Sequence, residues 1–263
     1  MPNTPFKLDF AIVGVQKAAT TALASYLAQH PDICLPETKE THFFRRPARR
    51  GPPADREMSH LTRHFAHCQS GQVCGDATPI YCYWPNALNL LHAHNPDLKC
   101  ILSVRHPVAR AYSAWSMEVR RGRESFSFSE AIRAGRSRVQ NSPLKVHQIF
   151  SYVERGFYAR QATSLLKMFP QGQVFALRSD EVSPQHPRLA ELLSFLQIGP
   201  FEFTPIGQNV RPGSLQSETS LEEDFDFLQN LYADDLKRFQ DLGLVDVSDW
   251  IEAPPDWKVL GKW

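Results

Sequence analysis

Two segments of this chain share one layout, and together they restrict its fold more than any other feature. Residues 10–21 read Phe10-Ala-Ile-Val-Gly14-Val-Gln-Lys17-Ala-Ala-Thr20-Thr21, and residues 101–113 read Ile101-Leu-Ser-Val-Arg105-His-Pro107-Val-Ala-Arg110-Ala-Tyr-Ser113. Each is an apolar run suited to a buried strand, then a short loop, then a helix start, with a cation at the strand end. Hydroxyls follow at the helix start in the first (Thr20, Thr21) and farther along the helix in the second (Ser113). Strands that feed helices in this way lie side by side in a parallel sheet, with right-handed crossovers.

The rest of the chain continues the alternation. Leu8–Val13, Lys99–Val104 and Gln173–Leu177 read as strands, and Gln72–Gly75 is a shorter candidate. Helices are expected over Thr20–His30, stopped by Pro31; over Asn86–His94, after Pro85; and from Pro107 to about Gly122. Tyr158, Ala162, Leu165, Leu166 and Phe169 mark another at helical spacing, and Leu221–Leu242 is a long amphipathic one. The expected fold is α/β, a P-loop-like three-layer arrangement with a central parallel sheet flanked by helices, forming a single domain over 1–263. The Arg- and Pro-rich tract Arg45–Glu57 reads as a surface loop.

Charge is nearly balanced, 29 Lys+Arg against 28 Asp+Glu, so no global field recruits nucleic acid or an anionic membrane and any anion site is local. No apolar run approaches the roughly 20 residues that span a bilayer, and the N-terminus lacks the layout of a secretory signal. The reading is a cytoplasmic protein without membrane insertion. Cysteines 34, 68, 74, 82 and 100 show no CxxC spacing, and reduced thiols in the core are expected. His60, His64 and His67 beside Cys68 have a spacing compatible with zinc, but Leu61, Phe65 and Cys68 form the apolar stripe of that segment, so the histidines are expected to flank it toward solvent.

In the first junction, small residues let backbone N–H groups and a helix N-terminus face an anion, while Lys17 adds a point charge and Thr20 and Thr21 add donors. It is not a Walker A loop, in which Lys directly precedes the hydroxyl; here Lys17 stands three residues before Thr20. In the second, Arg105 and Ser113 form a possible phosphate clamp.

These motifs resemble those of the sulfotransferases that use 3′-phosphoadenosine 5′-phosphosulfate (PAPS), and in particular the branch of heparan sulfate N- and O-sulfotransferases and their bacterial relatives. The 5′-phosphosulfate loop of that family, G-x-x-K-[GA]-[GA]-T-[TS]-x-L, is matched by Gly14, Lys17, Ala18, Ala19, Thr20, Thr21 and Leu23; its 3′-phosphate motif, R-[DNH]-P-x-x-R-[AL]-x-S, is matched by Arg105 through Ser113. Lys39-Glu40-Thr-His42-Phe-Phe44, Arg155-Gly-Phe-Tyr158 and Leu177-Arg-Ser179 are also typical, and the resemblance covers roughly residues 8 to 183. It departs in the alanine pair 18–19, where glycines are commoner and methyl groups are tolerable if φ is negative, and in His106, where Asp or Asn is usual. The C-terminal cysteine pair and membrane anchor of the Golgi enzymes have no counterpart in the sequence, so heparan sulfate specificity is not carried over.

The resemblance implies in-line transfer of a sulfuryl group from PAPS to a hydroxyl or amine of a carbohydrate or small-molecule acceptor, leaving 3′,5′-ADP and requiring no metal. It implies Glu40 as general base, with His42 orienting or replacing it, and Lys17 on the leaving oxygen. Ala18, Ala19, Thr20 and Thr21 then line the 5′-phosphate, and Arg105 and Ser113 take the 3′-phosphate. Arg155 and Tyr158 resemble pocket residues, and Arg211, within Gln208–Ser214, belongs to a loop expected over the nucleotide. Two other readings stand beside it: a P-loop kinase of a small metabolite, with Asp76 as the acid for Mg²⁺, and a nucleotide-binding module without catalysis, which would not depend on Glu40. The acceptor and the oligomeric state are left open.

Overall fold

In the computed structural model, the described residues are 6–45, 55–207 and 218–252. The chain divides by its internal contacts into two compact units, Met1–Val104 with Ser164–Ile206 and Arg105–Thr163 with Gly207–Trp263.

The first unit is built on five parallel strands: β1 (Phe10–Gly14), β2 (Ile33–Cys34), β3 (Val73–Ala77), β4 (Lys99–Val104) and β5 (Val174–Arg178), ordered β2-β3-β1-β4-β5. β1 is central, with Phe10 paired to Gly75 on one side and to Lys99 on the other. All five residues of β1 are buried, which is why it reads as a continuous apolar run rather than an alternating one. Helices flank the sheet, as the sequence led us to expect. Residues of α1 (Thr20–Leu27) and α8 (Pro187–Leu196) pack with Phe10, Ile12, Ala77, Ile101 and Leu177 in one core. α3 (Ala87–His94) is tied to the start of β1, where Leu8 N–H donates to His94 Nε2 at 3.0 Å and Asn95 Nδ2 donates to the Leu8 carbonyl at 2.8 Å.

Both faces of the sheet are crowded, and Gly75 shows how closely. A Cβ at Gly75 would enter the ring of Phe10, its partner on the neighbouring strand, so only hydrogen fits there.

α2 (Asp55–Arg63) precedes β3. Leu61 and Phe65 are buried while His60 and His67 are exposed, so the apolar stripe lies where the spacing put it. The cysteine expectation is corrected here: Cys34, at the end of β2, is disulfide-bonded to Cys68, with their Cα atoms 5.7 Å apart. They are 34 positions apart in sequence, a spacing that carries no signal. It is the pairing of β2 with β3, led into by the segment after α2, that brings them within reach. Cys74, Cys82 and Cys100 are free and buried, and burial pushes the Cys74 thiol up to about 11 and that of Cys82 up to about 12.

The second unit is helical: α4 (Pro107–Arg120), the short α5 (Phe128–Ile132) and α6 (Ser137–Gln140), the start of α7 (Tyr158–Met168), then α9 (Glu218–Asp241) and α10 (Ser248–Glu252). Pro107 occupies the first turn of α4, and Ser127 with Glu130 forms a reciprocal capping box at α5. Tyr232 of α9 packs so tightly on Gly156 that a Cβ there would lie 2.5 Å from its hydroxyl oxygen. Trp250 is buried against the ring of His106, 5.6 Å between centroids.

Most of the predicted elements fall within a few residues of those observed; the two-residue β2, α8 and the short α5, α6 and α10 were not anticipated, and α2 begins at Asp55, inside the tract read as a loop. Trp257, Trp263, Arg211 and most of the Arg45–Glu57 tract lie outside the described residues.

Replacing Gly75 with alanine should force Phe10 to move at a cost of about 1–3 kcal/mol, whereas Gly172→Ala, with nothing within 4 Å of its Cβ position, should be close to neutral. Urea denaturation of the two variants checks this, and equal midpoints would contradict the packing described.

Candidate functional site

Within the first unit, the chain turns from β1 into α1 through Val15–Ala19. The turn is closed by Ala18 N–H donating to the Val15 carbonyl at 3.2 Å. β4 fixes it from the side: Val15 N–H donates to the Ser103 carbonyl at 2.7 Å, and Ser103 Oγ donates to the Ala18 carbonyl at 2.6 Å. Ser103 is fully buried, so the loop is held by a side chain whose own hydroxyl is satisfied.

Lys17 (φ 78) and Ala19 (φ 55) both adopt the left-handed region. The condition under which the alanine methyl groups are easily tolerated, a negative φ, is therefore not met at Ala19. The turn demands a left-handed residue just before the helix, and a Cβ there costs about 1 kcal/mol that glycine would avoid. α1 begins at Thr20 with no side-chain hydrogen bond at its N-cap, so its first N–H groups are not closed off by a capping side chain. Ala18 and Thr20 are buried, Lys17 is half-buried and Thr21 is exposed.

The segment after β2 brings the other group of residues to this loop. Lys39 Nζ donates to Thr21 Oγ1 at 2.5 Å and lies 3.5 Å from Glu40 Oε1. His42 Nε2 lies 3.4 Å from Glu40 Oε2. Glu40 thus sits between an ammonium and an imidazole, with its side chain 28% exposed. At that exposure the Lys39–Glu40 ion pair contributes less than about 1 kcal/mol, so these contacts orient the carboxylate more than they stabilise the fold. Burial, and then the Arg45 guanidinium, hold the His42 imidazole below its ordinary value, while Glu40 acts the other way. His42 is therefore neutral at pH 7.

Stiffness in this segment comes from a residue that sequence reasoning placed in a different role. Asp76, at the end of β3, is fully buried and accepts hydrogen bonds from Thr41 Oγ1 (2.8 Å), Thr78 Oγ1 (3.0 Å) and Tyr81 OH (2.7 Å). Burial raises the pKa of its carboxyl, and the three hydroxyls oppose the rise. Thr41 stands between Glu40 and His42, and His42 N–H reaches Thr78 Oγ1 at 3.5 Å, so Asp76 anchors the pair through their common neighbour. A carboxylate enclosed by three hydroxyls is poorly suited to the Mg²⁺ role assigned to Asp76 in the kinase reading. Lys39 was visible only as part of a motif, and nothing in the sequence pointed to its contact with Thr21.

In the second unit, Arg105 follows β4 directly and its carbonyl accepts from Tyr158 OH at 2.6 Å. Tyr158 is 1% exposed, so it holds the backbone of Arg105 from inside the core. Ser113 is buried on α4, and Arg110, three residues earlier, is buried completely, with Nη2 donating to the Tyr152 carbonyl. Arg155 is buried as well, its Nη2 donating to the carbonyls of His147 (3.1 Å) and Gln148 (2.8 Å). The structure thus shows backbone-holding contacts for Arg155 and Tyr158.

An α/β protein with a parallel sheet and an uncapped, left-handed turn between β1 and α1 is the class that fold and site define. No family model matches the chain. It is 34% identical over 161 residues to heparan sulfate glucosamine 3-O-sulfotransferase 6 of Homo sapiens, covering 60% of this chain and 43% of that protein. To heparan sulfate glucosamine 3-O-sulfotransferase 3B1 of Mus musculus it is 29% identical over 188 residues, 71% of this chain and 45% of the relative. The chain thus spans less than half the length of these curated relatives. Among solved structures, a sulfotransferase from Alicyclobacillus acidocaldarius superposes with a TM-score of 0.77 at 29% identity, covering 93% of this chain and 99% of that one. A sulfotransferase domain from the curacin biosynthetic pathway shares the fold alone, with a TM-score of 0.51 at 16% identity. The chain is thus similar to the heparan sulfate 3-O-sulfotransferases and to bacterial sulfotransferases, and it shares the sulfotransferase fold.

Two outcomes are expected of this site. Ala19→Gly should raise stability by up to about 1 kcal/mol, read as a higher urea midpoint, because the left-handed backbone no longer carries a Cβ. The His42 imidazole should titrate below 6.5 by proton NMR, and lower still in Glu40→Gln, since the carboxylate that favours the charged form is gone. A midpoint at or above 6.5 would contradict the site geometry.

Proposed function

We propose that the chain transfers a sulfuryl group from PAPS to a hydroxyl or amine of a carbohydrate or small-molecule acceptor, its 263 residues acting as one sulfotransferase domain. The observation that carries this reading is the bridge made by Lys39. It joins Thr21, in the loop that matches the 5′-phosphosulfate motif, to Glu40, the carboxylate in the motif position of the base.

The fit to a nucleotide donor rests on the β1–α1 turn. Its uncapped helix N-terminus and left-handed backbone suit a phosphate-type anion, with Lys17, Thr20 and Thr21 supplying charge and hydroxyl donors. PAPS supplies the electrophilic sulfur. Glu40 accepts the proton of the acceptor hydroxyl or amine as the acceptor atom bonds to sulfur. The bond from sulfur to the phosphate oxygen breaks, and Lys17 neutralises the charge that gathers on that oxygen. His42, neutral at pH 7, steadies Glu40 through Nε2 and is the alternative base. Arg105 and Ser113 are assigned to the 3′-phosphate on the family motif, with Tyr158 and Arg155 holding the surrounding backbone. No residue role in this scheme calls for a metal.

The kinase reading is weakened by the enclosure of Asp76, while the module without catalysis shares every donor contact and differs only at Glu40. Cytoplasmic location is kept as part of the proposal; among the described residues no helix is long and apolar enough to cross a membrane.

Calorimetric titration with 3′,5′-ADP, 5′-AMP and ATP-Mg²⁺ separates the readings. Binding of 3′,5′-ADP in the micromolar range with neither control bound is expected, and a preference for ATP-Mg²⁺ would overturn the proposal. With PAPS and an acceptor found by screening, Glu40→Gln should lower turnover by at least about 100-fold with donor affinity kept. Arg105→Ala should weaken 3′,5′-ADP far more than 5′-AMP. Undiminished turnover in Glu40→Gln would remove Glu40 as the base.

A further inference from the structure

Just upstream of Glu40, the strand end, the segment after α2 and an acidic side chain converge on one point. Cys34 Sγ and Cys68 Sγ are joined, His67 Nε2 lies 3.4 Å from Cys34 Sγ, and His67 Nδ1 faces Glu37 Oε1 at 3.9 Å. The ligand atoms of Cys34, His67 and Cys68 all lie within 4.8 Å of one another, and among the described residues this is the sole group of three or more His, Cys, Asp or Glu side chains so disposed.

We infer that Cys34, Cys68 and His67 form a thiolate site for a divalent cation of the zinc class when the two sulfurs are reduced. Tetrahedral zinc with Zn–S of about 2.3 Å and Zn–N of about 2.0–2.1 Å sets S···N edges near about 3.6 Å and S···S edges near about 3.8 Å. The observed edge between Cys34 and His67 is within a few tenths of an ångström of that length. The two sulfurs need only move from bonding distance to the tetrahedral edge. Two thiolates and an imidazole are the donor set that zinc favours over magnesium or calcium. Glu37 faces the second ring nitrogen of His67, the position from which a carboxylate orients a ligating imidazole. The fourth position is left to water.

Disulfide and metal compete for the same sulfurs. A dithiol reductant converts the bond to two thiols and is itself oxidised to a disulfide; the cation then displaces two protons, one from each thiol, as the thiolates bind. Cys34 is buried and Cys68 half-buried, so the site opens on the side of His67 and Cys68. Backbone pairing ties its neighbours together as well: Glu37 N–H donates to the His64 carbonyl at 3.4 Å. A cation here would brace the start of the segment that carries Lys39, Glu40 and His42, outside the transfer chemistry itself. The inference stands on these side chains alone and does not require the sulfotransferase reading.

The test uses the full chain, reduced with a phosphine under anaerobic conditions and titrated with Co²⁺, then with Zn²⁺ as competitor. One equivalent of Co²⁺ should produce a thiolate-to-cobalt charge-transfer band that Zn²⁺ abolishes, and the oxidised protein should show none. The Cys34→Ser/Cys68→Ser double variant should lose the band. His67→Gln, which keeps both sulfurs and the option of the disulfide, should weaken binding at least about 100-fold, and Glu37→Gln about 10-fold or more. Absence of the band in the reduced protein would overturn the inference. So would a band that persists in the double variant, since it would place the cation on Cys74, Cys82 or Cys100.

Discussion

The carboxylate of Asp76 is the point on which the first unit's site depends. It is an ionisable group removed from water at the end of a buried strand, and it is tolerable there because three hydroxyls donate to it. Those hydroxyls come from two parts of the chain's path. Thr78 and Tyr81 follow β3, and Thr41 comes from the segment that leaves β2. To satisfy Asp76, that segment must return to the sheet at Thr41, and Glu40 and His42 are held on either side of it. Tyr81 then takes the segment onward, its hydroxyl lying 3.4 Å from the Phe44 N–H. Removing a donor from a carboxyl this enclosed is more consequential than the small energy of one neutral hydrogen bond.

A similar economy governs the turn between β1 and α1. Ser103 of β4 uses both its backbone carbonyl and its hydroxyl on the turn, so the neighbouring strand holds the loop. At the start of α1 no side chain caps the helix, and Thr21 is engaged by Lys39. The alanine at 19 is a local exception. Its left-handed backbone is imposed by the strand-to-helix geometry, and the surrounding hydrogen bonds over-determine it.

Much of the fold was legible in the sequence. The strands could be read because a parallel sheet covered on both faces requires largely apolar runs, and Phe10–Gly14 and residues 100–102 supply them. Pro31, Pro85 and Pro107 mark helix limits for steric reasons that act within a few residues. Lys17, Glu40 and His42 could be singled out because their motifs are local, and the structure gathers Glu40 and His42 with Lys39 and Thr21. Less was legible at Tyr158 and Arg155, whose motif positions say nothing of the carbonyls they hold.

The sequence by itself therefore determined the alternation of strands and helices, the two strand-to-helix junctions and the family motifs they resemble, because each of these depends on neighbours close in the chain. Tertiary structure alone decided the rest. It set the enclosure of Asp76 by Thr41, Thr78 and Tyr81, the bridge from Lys39 to Thr21, the left-handed backbone of Ala19 and the meeting of Cys34 with His67 and Cys68. Apart from the backbone of Ala19, set by the turn it closes, these are contacts that take on meaning only once β2, β3 and β1 lie side by side. Before that pairing, Cys34 and Cys68 are two thiols 34 positions apart, and nothing in the residues between them signals that they meet.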